Sequence, residues 1–173
     1  MTEFRLIGER SVVLIEARSN VGPIAFGANV VDGCVRLAVN GSGVEMTAAP
    51  TASLSIDLDT LSSGNALYDA ELRRRVDARK HPRTFVELGD AVRIGASDRY
   101  QVSGEITFHG ITKSVNGVLE VSLPEASLLR VIGEQVVDIR DFDITPPSHL
   151  MLRIYPDVRV RLQLEAELAS AGS

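Results

Sequence analysis

The clearest feature of the sequence is a strict two-residue alternation near its C-terminal end. In residues 158–168, every even position is apolar, and every odd position is arginine, glutamine or glutamate. Successive side chains of a β-strand point to opposite faces of its sheet. This segment is therefore predicted to form a strand with one dry face and one wet face, a pattern typical of antiparallel sheets.

Similar alternation recurs along most of the chain. Residues 99–109 and 115–123 alternate in the same way, and between them lies a short segment with His109 and Gly110, which predicts a hairpin with a tight turn. Further strands are predicted for residues 11–18, 24–31, 34–39, 52–59, 83–88 and 128–140.

One stretch, residues 65–79, has helical spacing instead. Tyr68, Leu72 and Val76 fall at i, i+4 and i+8, which places them on one face of a helix. Asn65 is suited to the N-cap, and Pro82 is expected to end the segment.

About eight strands with a single helix in a connecting segment indicate an all-β sandwich or barrel rather than βαβ units. A barrel of eight strands has an interior that is either filled by side chains or able to hold one small ligand. The length of 173 residues predicts a single domain over residues 1–173.

Composition excludes several classes of function. The net charge of −5 and the aromatic content of 5% disfavour a nucleic-acid-binding domain. The single cysteine, Cys34, excludes an intrachain disulfide and is interpreted as a small buried residue. We find neither a signal-peptide pattern nor an apolar run of the ~20 residues that a transmembrane helix needs, so we expect a cytoplasmic protein.

Three segments, in this order, match the pattern of a known family. They are residues 69–72 (DAEL) with 82–85 (PRTF), residues 104–113 (GEITFHGITK) and residues 138–144 (DIRDFDI). The chain resembles the YceI-like family of polyisoprenoid-binding, lipocalin-like proteins, although Asp143 stands where the family usually has glycine. The resemblance implies a single antiparallel, lipocalin-like β-barrel whose apolar lumen binds long isoprenoid chains such as quinone-type lipids.

The apolar faces of the strands allow two interpretations, an open cavity or a filled core. In a cavity, each buried CH₂ group of a ligand would contribute about 0.8 kcal/mol, so few polar contacts would be needed. The resemblance favours the cavity. The candidate lining residues are Tyr100, Val102, Ile106, Phe108, Val115, Leu119, Val121, Leu162 and Leu164.

The polar candidates also allow two interpretations. His109 could act as a general base, but a turn histidine bonded to the backbone is favoured because no partner group is evident. The six Lys and Arg residues from Arg73 to Arg83 could contact phosphate or an anionic lipid surface, but a solvated helix C-terminus is favoured. Arg140 and Asp141 could close one end of the barrel by charge pairing, although exposed charges are the favoured interpretation.

We therefore predict a carrier or sequestering protein that binds a hydrophobic small molecule, of the isoprenoid or quinone-lipid type, without catalysis, metal or another cofactor. Two alternatives stay open. One is an enzyme that uses the barrel as a reaction chamber, with His109 or an aspartate as base. The other is a structural or interaction domain with a filled core. The sequence also leaves a homodimer open.

Overall fold

The computed structural model describes residues 1–28, 31–41, 43–146, 148–149 and 152–170. These residues contain one α-helix, α1 (Ala66–Arg75), and 3-10 turns at Gly8–Arg10, Leu58–Thr60 and Ile139–Phe142. The strands are β1 (Thr2–Leu6), β2 (Val12–Ser19), β3 (Gly22–Ala28), β4 (Val31–Asn40), β5 (Gly43–Glu45), β6 (Thr51–Asp57), β7 (Arg83–Arg93), β8 (Arg99–Phe108), β9 (Ile111–Glu125), β10 (Leu128–Asp138), β11 (Ser148–His149) and β12 (Leu152–Leu168).

Eight of these strands form a closed ring. Their order is β1, β4, β6, β7, β8, β9, β10 and β12, and β12 pairs with β1 to complete the barrel. All of these pairings are antiparallel. The predicted all-β barrel of about eight strands with one helix is therefore confirmed.

The two ends of the barrel differ. We call the end near α1 and the β8–β9 turn the lower end, and the end near the β4–β5 and β9–β10 turns the upper end. Strand β12 pairs with β1 near the upper end and with β2 farther down. Strand β3 continues the wall beside β2, and Gly27 and Ser62 exchange backbone hydrogen bonds of 2.9 and 3.0 Å that join β3 to the segment after β6.

The tight turn between β8 and β9 is confirmed. His109 and Gly110 both have positive φ angles, 53° and 74°, as a two-residue type I′ turn requires. Several other boundaries were predicted wrongly. Strand β6 ends at Asp57 and β10 at Asp138, because a 3-10 turn follows each of them. Of the strand predicted at residues 24–31, positions 29 and 30 lie outside the described residues.

Helix α1 begins as predicted but is shorter. The Asn65 side chain accepts hydrogen bonds from the backbone N–H groups of Leu67 and Tyr68, which confirms the N-cap. The helix ends at Arg75 rather than at residue 79, because Asp77 has a left-handed φ of 50°. The Ala78 N–H then bonds the Arg73 carbonyl at 3.0 Å and closes a Schellman cap. No helix in the described part of the chain is long and apolar enough to cross a bilayer.

The outer face of the barrel is less uniform than the alternation predicted. The Glu165 side chain is only 12% exposed, because Arg10 and Arg130 cover it and bond its carboxylate. Cys34 was expected to be buried, and this was wrong. It is half-buried on the outer face of β4, with its Sγ 3.7 Å from the Ser53 hydroxyl.

Candidate functional site

The lower half of the barrel encloses a cavity of about 270 Å³. We call it the lower cavity. Inward side chains of six ring strands, of β2 and β3 and of α1 surround it, and nearly all of them are apolar. The strands contribute, among others, Val13, Ile15, Ile24, Phe26, Ile56, Val86, Ile106, Phe108, Val115, Leu119, Val137, Ile154, Val158 and Val160.

A second, upper cavity of about 100 Å³ lies above it. Val44 and Met46 line it near the upper end, where Arg93 donates a 2.9 Å hydrogen bond to the Val44 carbonyl and two to the Tyr100 hydroxyl. Four residues line both cavities and form what we call the waist: Val86, Leu88, Val102 and Leu162. The two spaces are therefore neighbouring parts of one apolar lumen.

The structure places all nine predicted lining residues against this lumen. Val102 and Leu162 lie at the waist, and the others divide between the two cavities. The lower cavity is lined by Ile106, Phe108, Val115 and Leu119, and the upper cavity by Tyr100, Val121 and Leu164. Their contact with a ligand stays a prediction.

The prediction took its candidates from β8, β9 and β12 alone and missed the lining residues from β2, β3, β6, β7, β10 and α1. Val13 and Ile15 belong to an apolar run without alternation, so no face could be assigned to them. Tyr68 and Leu72 were recognised as one face of a helix, but the sequence does not say that this face covers a barrel end. Thr84 and Val86 of β7 were both missed, although the alternation of this strand places them on one face.

Helix α1 covers the lower end of the lumen, and Asp69 holds it there. The Asp69 carboxylate accepts hydrogen bonds from the Ser63 N–H at 2.8 Å, the Ser63 hydroxyl at 2.6 Å and the Ser62 hydroxyl at 3.3 Å. The bonds from Ser63 lower the pKa of Asp69 below its ordinary value. Because Ser62 also pairs with β3, this contact fixes the helix to the barrel wall.

A charged pair of α1 lies at the edge of the lower cavity. The Arg75 Nε donates a 2.8 Å hydrogen bond to Glu71, and both side chains are about 30% exposed. This bond, together with the neighbouring Arg74, lowers the pKa of Glu71. Arg74 and Arg75, which both pair with Glu71, belong to the predicted cluster of six basic residues. Their position in the last turn of α1 agrees with the favoured interpretation of that cluster as a helix C-terminus.

His109 has a structural contact at the lower end. Its Nδ1 lies 2.9 Å from the Phe142 carbonyl oxygen, and its ring packs edge-to-face against His81 with centroids 5.4 Å apart. This is the backbone-bonded turn histidine that the sequence favoured. Arg140 pairs with Asp138, two residues earlier, at 2.7 Å on the outside of the barrel, which raises the pKa of Arg140 and lowers that of Asp138.

A family model decides the classification. The model described as the YceI-like domain matches residues 14–166, which is most of the chain. The protein belongs to the YceI-like family. The matched range includes the strands of the lower cavity and α1, so the lumen described above is part of the YceI-like domain. No curated protein sequence matches the chain.

Solved structures share the YceI-like fold at low sequence identity. BcnA of Burkholderia cenocepacia is 16% identical with a TM-score of 0.78, and the match covers 93% of this chain and 99% of that one. A polyisoprenoid-binding domain from Saccharophagus degradans is 15% identical with a TM-score of 0.76, over 98% and 100% of the two chains. A Campylobacter jejuni YceI protein is 14% identical with a TM-score of 0.64, over 81% and 82%.

Proposed function

We propose that the protein binds an apolar small molecule of the isoprenoid or quinone-lipid class inside its barrel and carries or sequesters it. The observation that carries this proposal is the lumen, in which cavities of about 270 and 100 Å³ share the waist residues and have almost wholly apolar walls. Family membership and the similarity to a polyisoprenoid-binding domain support the same ligand class.

The size of the lumen sets the amount of ligand that it can bury. A dry cavity of about 150 Å³ holds one benzene ring, so the two cavities together have room for on the order of fifteen carbon atoms. At about 0.8 kcal/mol per CH₂ group, such a chain would gain on the order of 10 kcal/mol before the cost of association. A chain that crosses the waist should therefore bind much more tightly than one that fills only the lower cavity.

The ionisable groups beside the lower cavity favour binding over proton transfer. A general acid or base works best when its pKa lies near the operating pH. The pKa of Glu71 is lowered, and so moves farther from neutral pH, because Arg75 and Arg74 stabilise its ionised form. His109 is held against the Phe142 carbonyl by a 2.9 Å hydrogen bond. These contacts support a carrier rather than a reaction chamber.

The ligand itself can be identified by native mass spectrometry of protein purified from its own host, followed by lipid extraction. We expect a co-purifying prenyl lipid, and we expect the delipidated protein to take up added geranylgeraniol. Absence of any bound lipid in repeated preparations, together with no uptake of geranylgeraniol, would contradict the proposal.

A matched pair of variants tests where the ligand lies. Val86 is a waist residue, and the next residue, Glu87, is exposed on the outer face of β7. Val86→Phe should weaken geranylgeraniol binding about tenfold, because it displaces roughly two CH₂ groups of the ligand from the lumen. Glu87→Phe should leave binding unchanged. Equal affinities of the two variants would place the ligand outside the lumen.

A further inference from the structure

Two neighbouring strands of the barrel separate in its lower half. The pairing of β9 with β10 runs from Glu125 and Leu128 down to Leu119 and Gly133, and no ladder pair joins them below that point within the described residues. Both strands nevertheless continue, because β9 stays paired with β8 down to Ile111 and β10 stays paired with β12 down to Asp138. The wall of the barrel therefore has a lateral slit between residues 111–118 and 134–138.

The slit opens onto the lower cavity. Continued register would place Gln135 opposite Gly117, and both residues line that cavity. On the paired part of β10, the inward residues Leu129 and Val131 are 0% and 6% exposed. Gln135 has the same inward parity but is exposed. An inward side chain that lines the cavity and is also exposed indicates that solvent reaches the cavity there.

The Gln135 side chain reaches across the slit. Its Oε1 lies 3.1 Å from the position that a Cβ on Gly117 would occupy, so the amide rests over the glycine of the opposite strand. Among the residues that the structure describes, its Nε2 donates a single hydrogen bond, a long one of 3.4 Å to the adjacent Val136 carbonyl. Such a bond is weak and easily exchanged for a better one. The amide can therefore turn its donor and its acceptor towards a ligand.

At Gln135 the slit offers dipoles, and its charged neighbours are Glu134 and Lys113, which is exposed on the β9 edge. Outside the barrel, Glu134 is paired with Arg159 and Arg161 at 3.1 and 3.2 Å. The two strand edges that face each other are not joined by ladder hydrogen bonds, and each alternates N–H donors with C=O acceptors. Groups of this kind suit an uncharged polar head that both donates and accepts hydrogen bonds.

We propose that the slit between β9 and β10 is the mouth of the lumen, and that the Gln135 amide there binds the uncharged hydroxyl or carbonyl head of the apolar ligand. The chain of the ligand then runs from the slit into the lower cavity and through the waist. This inference rests on the proposed function, since it requires an apolar ligand in the lumen, and it adds the chemistry of the head and the place of entry.

A comparison of two ligands tests the head-group contact. Geranylgeraniol and the saturated hydrocarbon phytane have similar chains, but only the alcohol carries a polar head. Gln135→Leu should weaken geranylgeraniol binding about three- to tenfold, the worth of one hydrogen bond, and leave phytane binding unchanged. The control is Gln163→Leu, since Gln163 is an exposed glutamine on the outer face of β12. Unchanged geranylgeraniol affinity in Gln135→Leu, or an equal loss for phytane, would overturn the assignment.

A second measurement does not depend on affinity. In a Cys34→Ser background, Gln135→Cys should be alkylated by iodoacetamide at least fivefold more slowly when geranylgeraniol is bound, whereas Gln163→Cys should show no protection. Equal protection at the two positions, or protection at neither, would overturn the assignment of the slit as the mouth of the lumen. Lys113 is exposed beside the slit, and its cross-strand partner Ile106 lies on the inner face, so Lys113 is the cation that a charged head would contact. If geranylgeranyl phosphate binds more tightly than the alcohol, and Lys113→Gln abolishes the difference, the assignment of an uncharged head is overturned.

The two proposals fail in different ways. If the unaltered, delipidated protein binds neither geranylgeraniol nor phytane, the proposed function itself fails. If it binds both and Val86→Phe weakens them, but Gln135→Leu and the alkylation rates show no effect, the lumen binds the ligand and only the assignment of the slit is wrong.

Discussion

Replacement of Thr84 by valine should stabilise the ligand-free barrel. Thr84 faces the lower cavity from β7 and is 9% exposed, and its Oγ1 makes no hydrogen bond within the described part of the chain. A buried polar group without a partner costs about 1–3 kcal/mol. Valine keeps the β-branched shape and the strand preference of threonine, so the substitution should remove most of that cost.

The expected gain is about 1–2 kcal/mol in the free energy of unfolding. For a chain of this size, each kcal/mol corresponds to about 2–4 °C, so the melting temperature should rise by roughly 3–6 °C. Thermal and urea unfolding of delipidated protein, followed by circular dichroism, measure both quantities. The control is Thr107→Val on the outer face of β8, where the Thr107 hydroxyl lies 2.8 Å from the Thr112 hydroxyl. This variant should show no gain, or a loss of up to about 1 kcal/mol.

One result would refute this reasoning. If Thr84→Val is no more stable than the unaltered protein while Thr107→Val behaves as expected, the Thr84 hydroxyl has a hydrogen-bond partner in the folded barrel. The lower cavity would then be more polar than its lining residues indicate, and the estimate of ligand burial would have to be reduced.

Three further predictions concern the lumen, the helix and the outer face. Leu162→Glu should abolish geranylgeraniol binding or unfold the protein, because it buries a carboxylate at the waist, whereas Gln163→Glu should do neither. The low pKa of Asp69 stabilises the fold at neutral pH, and this stabilisation is lost as pH falls below about 4. The protection of the α1 amides, measured as their exchange rate relative to the intrinsic rate at the same pH, should therefore fall there, and Asp69→Asn should lower this protection already at pH 7. Glu165→Lys should cost about 1–3 kcal/mol of stability, because it places a third cation beside two arginines.

Each of these predictions has an outcome that contradicts it. Normal binding by Leu162→Glu together with unfolding of Gln163→Glu would reverse the assignment of the two barrel faces. Hydrogen–deuterium exchange in α1 that is unaffected by Asp69→Asn would show that other contacts hold the helix. A urea midpoint of Glu165→Lys equal to that of the unaltered protein would show that the outer arginines move apart at no cost.

Much of the fold was predictable because alternation is a local property of the chain. The even residues of β8 and the odd residues of β9 from Val115 to Leu123 face inward as their sequence pattern required, and the turn between them has the two positive φ angles that His109 and Gly110 allow. Strand β1 was missed because its five residues are too few to establish a period. The end of α1 was missed because Pro82 is a stronger signal in the sequence than the left-handed Asp77 that ends the helix.

The alternation in the sequence determined that antiparallel strands would form and which side chains of the alternating strands would face the interior, and the family resemblance indicated that the sheet would close into a barrel. Only the tertiary structure decided that the interior retains room, because the free volume depends on side chains from nearly every strand of the ring and from α1 together. It also decided that β9 and β10 part below Leu119 and Gly133. Pairing between strands depends on the register of the whole ring, so no local pattern in β9 or β10 predicts where their pairing with each other stops.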